Sequence, residues 1–228
     1  MRKSGIAALL IACGLLASPF AATQEPTAEE VLEKTTEEVL AVIDEAADYV
    51  EEDPERYYRR VNEVLDDVVD FRGFARGVMG DYASSKRYRS LDEAGRRELR
   101  QQLERFTTVM REGLVQTYSK GLLAFNGSRV ELDKQRSRGS DEGNPARATL
   151  HQRIYSDGSE PYVVIYRMAR DRNGNWLMRN LIVENVNLGQ IYRSQFEAAA
   201  RKFDGDLDKV IDDWKIETVD EIKSETEA

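Results

Sequence analysis

Between residues 27 and 122 apolar side chains return every three or four positions, the spacing of one helix face. Thr27-Ala28-Glu29-Glu30 sets a hydroxyl before a Glu three positions on, a capping box. Val31, Val39, Val42, Ala46 and Tyr49 follow at helical spacing to about Glu51. Asp53-Pro54 restarts a helix with a capping Asp and Pro at the first helical position. Tyr57, Val61, Val64, Leu65 and Val68 line its apolar side. A shorter helix from Asp70-Phe71 carries Phe71, Phe74, Ala75, Val78 and Met79 and stops at Gly80. Ser90-Leu91-Asp92-Glu93 reads as a second capping box. It opens the longest helix, with Leu99, Leu103, Phe106, Met110, Leu114 and Tyr118 on one side, ending near Gly121 or Gly127.

From Arg129 the period becomes two, the spacing of strands. Val130 and Leu132 alternate with charged residues, and Ala146, Ala148, Leu150 and Ile154 alternate with Arg147, Thr149, His151 and Arg153. Tyr162 to Met168 and Trp176 to Val186 carry apolar residues on both faces. The connections Arg138 to Asn144, Ser156 to Ser159 and Asp171 to Asn175 are rich in Gly, Asp and Asn, which predicts hairpins and a four-stranded antiparallel meander. Helical spacing returns after Asn187 with Leu188, Ile191, Tyr192, Phe196 and Ala199, then in a short helix with Leu207, Val210, Ile211 and Trp214. The expected class is α+β: a helical layer over a curved four-stranded sheet, in one domain over 23–216. Residues 217–228 read as an acidic, frayed tail. Such a layer can enclose an apolar cavity, but periodicity alone favours an ordinary packed core.

The first residues read as an address. Arg2 and Lys3 precede an uncharged run from Gly5 to Ala17, too short to span a bilayer, and small residues follow. The pattern is that of a secretory signal peptide over 1–22, cut near Ala22. Leu10-Ile11-Ala12-Cys13 loosely matches a lipoprotein box, but the apolar run continues beyond Cys13, which argues against lipidation. The chain holds 33 Lys+Arg against 42 Asp+Glu, a formal charge of −9. An acidic chain is a poor ligand for a nucleic-acid backbone. One His and one Cys exclude most metal sites built on those ligands and any disulfide within the chain.

Few residues point to catalysis. His151, the single imidazole, lies on the polar register of a strand beside Arg147 and Arg153 and reads as an exposed strand histidine. The chain has no G-x-S-x-G, H-E-x-x-H, G-x-G-x-x-G or P-loop signature. Asp66-Asp67 and Asp212-Asp213 read as solvated helix faces. Basic residues cluster at Lys86-Arg87-Arg89, Arg96-Arg97-Arg100 and Lys134-Arg136-Arg138. These are ordinary charge balance, or contacts for lipid phosphate or an acidic partner.

Four stretches carry a resemblance to the periplasmic phospholipid-binding proteins of the Mla pathway, the MlaC or toluene-tolerance family. They are Asp70-Phe71…Phe74-Ala75…Val78-Met79-Gly80…Tyr82; Phe106…Leu114…Tyr118…Leu122…Phe125; Pro161 to Tyr166 followed by Trp176; and Glu184-Asn185-Val186-Asn187-Leu188…Tyr192-Arg193-Ser194-Gln195-Phe196, then Gly205, Asp208 and Ile211. Their order and spacing, with the export signal, carry the likeness across most of the mature domain. The chain departs from the family pattern at Asn180, where Asp is usual, and at Asn185-Val186-Asn187, where Gly-Val-Ser is usual. Asn185 in place of Gly predicts a left-handed or bulged backbone there.

The resemblance implies a lipid carrier without a catalytic cofactor, whose cargo is phospholipid held between sheet and helices. It implies a periplasmic monomer that passes lipid between an outer-membrane lipoprotein complex and an inner-membrane ABC transporter, maintaining outer-membrane lipid asymmetry. Each exposed methylene costs about 0.8 kcal/mol in water, so a lipid with a few tens of them needs a shelter worth roughly 20 kcal/mol to cross it. Periodicity and resemblance together nominate Phe71, Phe74, Met79, Phe106, Met110, Leu150, Val164, Tyr166, Met178 and Ile182 as tail contacts. Two other readings stand beside this one. A small cone-fold isomerase or dehydratase would use Arg153, Arg179, Glu184 or His151 inside the cone, and an exported accessory protein would have a solid core.

Overall fold

The Thr27 hydroxyl accepts the Glu30 amide at 3.2 Å, and the Glu30 carboxylate accepts the Thr27 amide at 2.7 Å, so the first helix begins on the predicted box. The computed structural model describes residues 25–125, 128–138, 143–155, 160–218 and 221. The expected signal peptide, its cleavage bond and Cys13 lie outside the described residues, as does most of the expected tail. Among the described residues the helices are α1 (Ala28–Ala46), α2 (Pro54–Asp66), α3 (Phe71–Met79), α4 (Ser85–Ser90), α5 (Glu93–Leu122), α6 (Leu188–Lys202) and α7 (Leu207–Asp212). The strands, β1 (Arg129–Leu132), β2 (Arg147–Tyr155), β3 (Tyr162–Arg170), β4 (Trp176–Val183) and β5 (Val186–Asn187), fall between α5 and α6.

The second capping box is not used as predicted. Ser90 closes α4, donating its hydroxyl to the Arg87 carbonyl at 2.7 Å, and Asp92 caps α5 by accepting the Gly95 amide at 2.8 Å. Asp92 sits next to the first helical residue, where its carboxylate reaches the amide three positions on.

The sheet has five strands rather than four, antiparallel throughout in the order β1-β2-β3-β4-β5. The expected strand Trp176 to Val186 folds back at Glu184 and Asn185, whose φ angles are 49° and 67°. Val183 then pairs with Val186 across a two-residue hairpin with positive φ at both central positions. The alternation conceals this turn because the apolar partners Val183 and Val186 flank it directly. Asn185 thus adopts the left-handed backbone expected of it.

A β-bulge changes the register in β4. Arg167 pairs with Asn180 but Met168 pairs with Met178, which leaves Arg179 as the extra residue. Period two alone would put Met178 and Ile182 on one face. The bulge separates them: Met178 shares a face with Met168, and Ile182 pairs with Ile165 on the opposite face. The Arg179 guanidinium is ion-paired with Asp70, which also caps α3 by accepting the Gly73 amide at 2.9 Å. A Cβ at position 73 would run into the Asp70 carboxylate, so glycine is needed there.

Buried apolar side chains form three clusters. One joins α3, α5, α6 and α7 around Met79, Phe106, Met110, Tyr192, Phe196 and Val210. A second joins α1, α2, Phe71 and Val115. The third sets Ala28 and Leu32 of α1 on Ala148, Leu150, Met168 and Trp176 of the sheet.

Candidate functional site: the inner face of the sheet

The sheet face turned toward the helices is built from cross-strand rows. Ala148, Met168 and Met178 form one, Leu150, Tyr166 and Leu181 the next, Gln152, Val164 and Val183 the third, and Ile154 and Tyr162 the last. Helix α1 covers the first two rows at Ala148, Leu150 and Met168. Leu181 and Val183 instead pack against the α3/α5/α6 cluster. Val164 is buried and Met178 half-buried, yet neither belongs to any of the three clusters. Val164 and Met178 therefore mark a seam on this face, outside the three clusters and beside the polar centre at Gln152.

The structure spreads the ten nominated residues unevenly. Val164 and Met178 stand in the seam, with Leu150 and Tyr166 beside them on the sheet. Phe71 belongs to the α1/α2 cluster, and half-buried Phe74 packs at the edge of the α3/α5/α6 cluster with its ring 6.5 Å from Tyr192, edge-on. Met79, Phe106 and Met110 are wholly buried inside that last cluster. The Phe106 ring meets Phe196 at 5.0 Å and Trp214 at 5.1 Å in edge-to-face contacts. Ile182 is on the other face, in the row of Ile165 and His151.

Gln152 was not nominated, yet it is buried at the centre of the inner face. Its amide nitrogen donates to the Thr36 hydroxyl at 2.7 Å, and its amide oxygen accepts the Tyr166 hydroxyl at 2.8 Å. Thr36 in turn donates to the Leu32 carbonyl at 2.8 Å. The chain of bonds ties α1 to the sheet and leaves the polar atoms partnered, as burial demands. Burial raises the Tyr166 phenol well above its ordinary range, so the group stays neutral. The signal in the sequence was a glutamine in an inward position of the alternation Ala148, Leu150, Gln152, Ile154.

The residues considered for catalysis are engaged elsewhere. Arg153 pairs with Asp133 at 2.6 Å, Arg179 with Asp70, and the Glu184 carboxylate accepts the Val163 amide at 2.6 Å. His151 shares its row with Ile165 and Ile182, and burial is the largest influence lowering its pKa, with Asp133 opposing and Arg136 adding to it. The acidic pairs are also occupied: Asp66 meets Arg111, Asp212 meets Arg105, and Asp213 meets Lys202. No group of three or more potential metal ligands occurs among the described residues.

The family model described as MlaC protein matches residues 33–216. The chain belongs to the MlaC family. The matched span runs from α1 to the residues just past α7 and contains all ten nominated positions. The toluene tolerance protein ttg2D of Pseudomonas putida is 28% identical over 200 residues, 88% of this chain and 85% of its own length. A solved phospholipid-binding protein from Ralstonia solanacearum, in complex with a phospholipid, shares the fold at a TM-score of 0.65 and 18% identity. The match covers 82% of this chain and 97% of that one.

Asn180 and Asn187, two positions where a departure from the family pattern was expected, are bonded to each other. The Asn180 side-chain nitrogen donates to Asn187 Oδ1 at 2.9 Å, and its oxygen accepts the Gly189 amide at 3.0 Å. Asn187 Oδ1 also caps α6 by accepting the Gln190 amide at 3.1 Å. An Asp at 180 has no N–H to give to an Asn oxygen at 187, so the two amides compensate for each other.

Proposed function

We propose that this MlaC-family chain is a soluble periplasmic carrier that binds phospholipid with its tails along the inner face of the sheet. It takes lipid up from one membrane-bound complex and delivers it to another, an outer-membrane lipoprotein complex and an inner-membrane ABC transporter, and so serves outer-membrane lipid asymmetry. Its work is binding rather than catalysis. The observation that carries the reading is the shared fold: nearly the whole of a protein solved with a phospholipid corresponds to this chain. The apolar seam at Val164 and Met178 supports it, because acyl chains require apolar neighbours that are not already committed to a closed core. Met178 is also adaptable in shape, which suits cargo of varied chain length.

The test is direct. The exported, processed protein is purified and extracted with organic solvent, and the extract is analysed by mass spectrometry. Phospholipid should be recovered, and delipidated protein should take up labelled phospholipid from vesicles. Protein that carries none and takes none up would leave an exported protein with a packed interior.

A further inference from the structure

Tyr88 is one of two large apolar side chains that are exposed among the described residues. It lies on α4, where every residue from Ser85 to Ser90 is exposed. The Arg96 and Arg100 guanidinium carbons lie 5.6 Å and 5.9 Å from its ring centroid. Arg100 also donates to the Tyr88 hydroxyl, and Arg96 to the Tyr88 and Arg89 carbonyls, each at 3.0 Å. These bonds fasten α4 to the first turns of α5. Nearby Tyr82 and Leu91 pack against the α3/α5/α6 cluster. The result is an anchored, wholly exposed knob, α4, with Lys86, Arg87, Arg89, Arg96, Arg97 and Arg100 on it and on the adjoining start of α5.

Its charges are largely uncompensated. Arg97 pairs with Glu93 at 2.6 Å, but Lys86, Arg87, Arg89, Arg96 and Arg100 have no carboxylate partner among the described residues. Three acids lie in the same stretch: Asp92 caps α5, Glu93 is the partner of Arg97, and Glu98 lies near the Gln102 amide. In a chain of net charge −9, this local excess of cations is of opposite sign to the whole.

We propose that the α4 knob is a docking surface for an anionic phospholipid bilayer. Its guanidinium groups hold lipid phosphates, and the Tyr88 ring sits at headgroup level. Guanidinium forks match phosphate oxygens, and tyrosine favours the membrane interface. Full exposure suits a broad headgroup surface: α4 buries no residue, so its cations and the Tyr88 ring can meet lipid headgroups without rearrangement. The acidic remainder of the molecule is repelled by the same surface, so the knob also sets orientation. Docking goes beyond lipid carriage, and rests on that reading only in holding a carrier at the membrane in which its partner complexes sit.

The experiment is co-sedimentation of the processed, full-length protein with vesicles of phosphatidylcholine, with and without added phosphatidylglycerol, at low and high salt. Binding should require phosphatidylglycerol and weaken with salt. Each cation at an anionic surface contributes about a fivefold gain in partitioning. Arg87→Gln/Arg89→Gln/Arg100→Gln should therefore lose binding on the order of 100-fold by the same reckoning. The control Lys34→Gln/Arg172→Gln/Lys215→Gln changes net charge equally on other exposed residues and should bind as the parent does. Tyr88→Ala should weaken binding without restoring affinity for phosphatidylcholine alone. Circular dichroism and co-purified lipid are read on every variant, so a protein that carries lipid yet ignores anionic vesicles overturns docking alone. Equal loss in both triple variants, or indifference to phosphatidylglycerol, also overturns it. The absence of any vesicle binding would assign the knob to an acidic protein partner instead.

Discussion

Tyr57 is wholly buried, and its hydroxyl donates to the Ser119 carbonyl at 3.0 Å, tying α2 to α5. Burial, then the neighbouring Tyr49 and Tyr58, pushes its phenol up to about 12. Tyr118 and Tyr192 lie with their hydroxyls 3.0 Å apart, and Tyr192 donates to the Glu217 carbonyl at 2.9 Å. Burial raises both of these phenols as well. A raised phenol keeps its proton in the folded state while the unfolded chain releases it above about pH 10. Stability from these groups is complete below that pH and falls as pH climbs toward 12. Thermal midpoints measured against pH should hold steady through neutrality and then decline, with phenolate absorbance rising in step with unfolding. Tyr57→Phe should cost about 1 kcal/mol at neutral pH from the lost hydrogen bond and make the alkaline decline shallower. Single residues also show where reading a chain succeeds. Asn185 was legible as left-handed because few side chains tolerate that backbone, whereas the inward position of Gln152 was legible but its partners were not, because they come from α1 and β3.

At the scale of elements, caps and turns decide boundaries that periodicity only approximates. The helix before Gly121 was legible from its apolar spacing, but two capping candidates stood close to its start. Asp92→Ala should lower stability by about 1 kcal/mol, while Ser90→Ala should cost far less, since Ser90 only ends a six-residue helix. Urea unfolding of both variants, monitored by circular dichroism, checks the assignment. The strands were legible in order and direction, because their Gly-, Asp- and Asn-rich connections demand hairpins. Their number was not, since a two-residue turn at Glu184 and Asn185 leaves the alternation of apolar residues intact. The bulge at Arg179 was equally silent: it inserts one residue without altering composition, yet it moves Ile182 away from the face of Met178.

For the whole molecule, the nominated residues divide by what they support. Phe106 is enclosed by Phe196 and Trp214, so Phe106→Ala should cost roughly 3–5 kcal/mol and lower the thermal midpoint sharply. Met178 is half-buried and outside the three buried clusters. Met178→Trp should fold with a midpoint near that of the parent and carry less phospholipid, as measured by extraction and mass spectrometry. Loss of folding together with loss of lipid would show that position to be part of the solid core. Four of the nominated positions, Leu150, Val164, Tyr166 and Met178, were brought together on one sheet face by the register of β2, β3 and β4.

Chemistry confined to a few neighbouring residues could be read from the chain: helix faces, caps, hairpin connections, a left-handed Asn and the family resemblance, because each depends on contacts within a turn or on residue order. Whether an apolar side chain fills a core or faces a seam depended on which distant elements meet it, and the same methyl groups serve either end. The tertiary structure alone placed Phe106 inside a closed aromatic cluster, put Val164 and Met178 outside the three clusters, and gathered the cations of α4 and α5 around one exposed tyrosine.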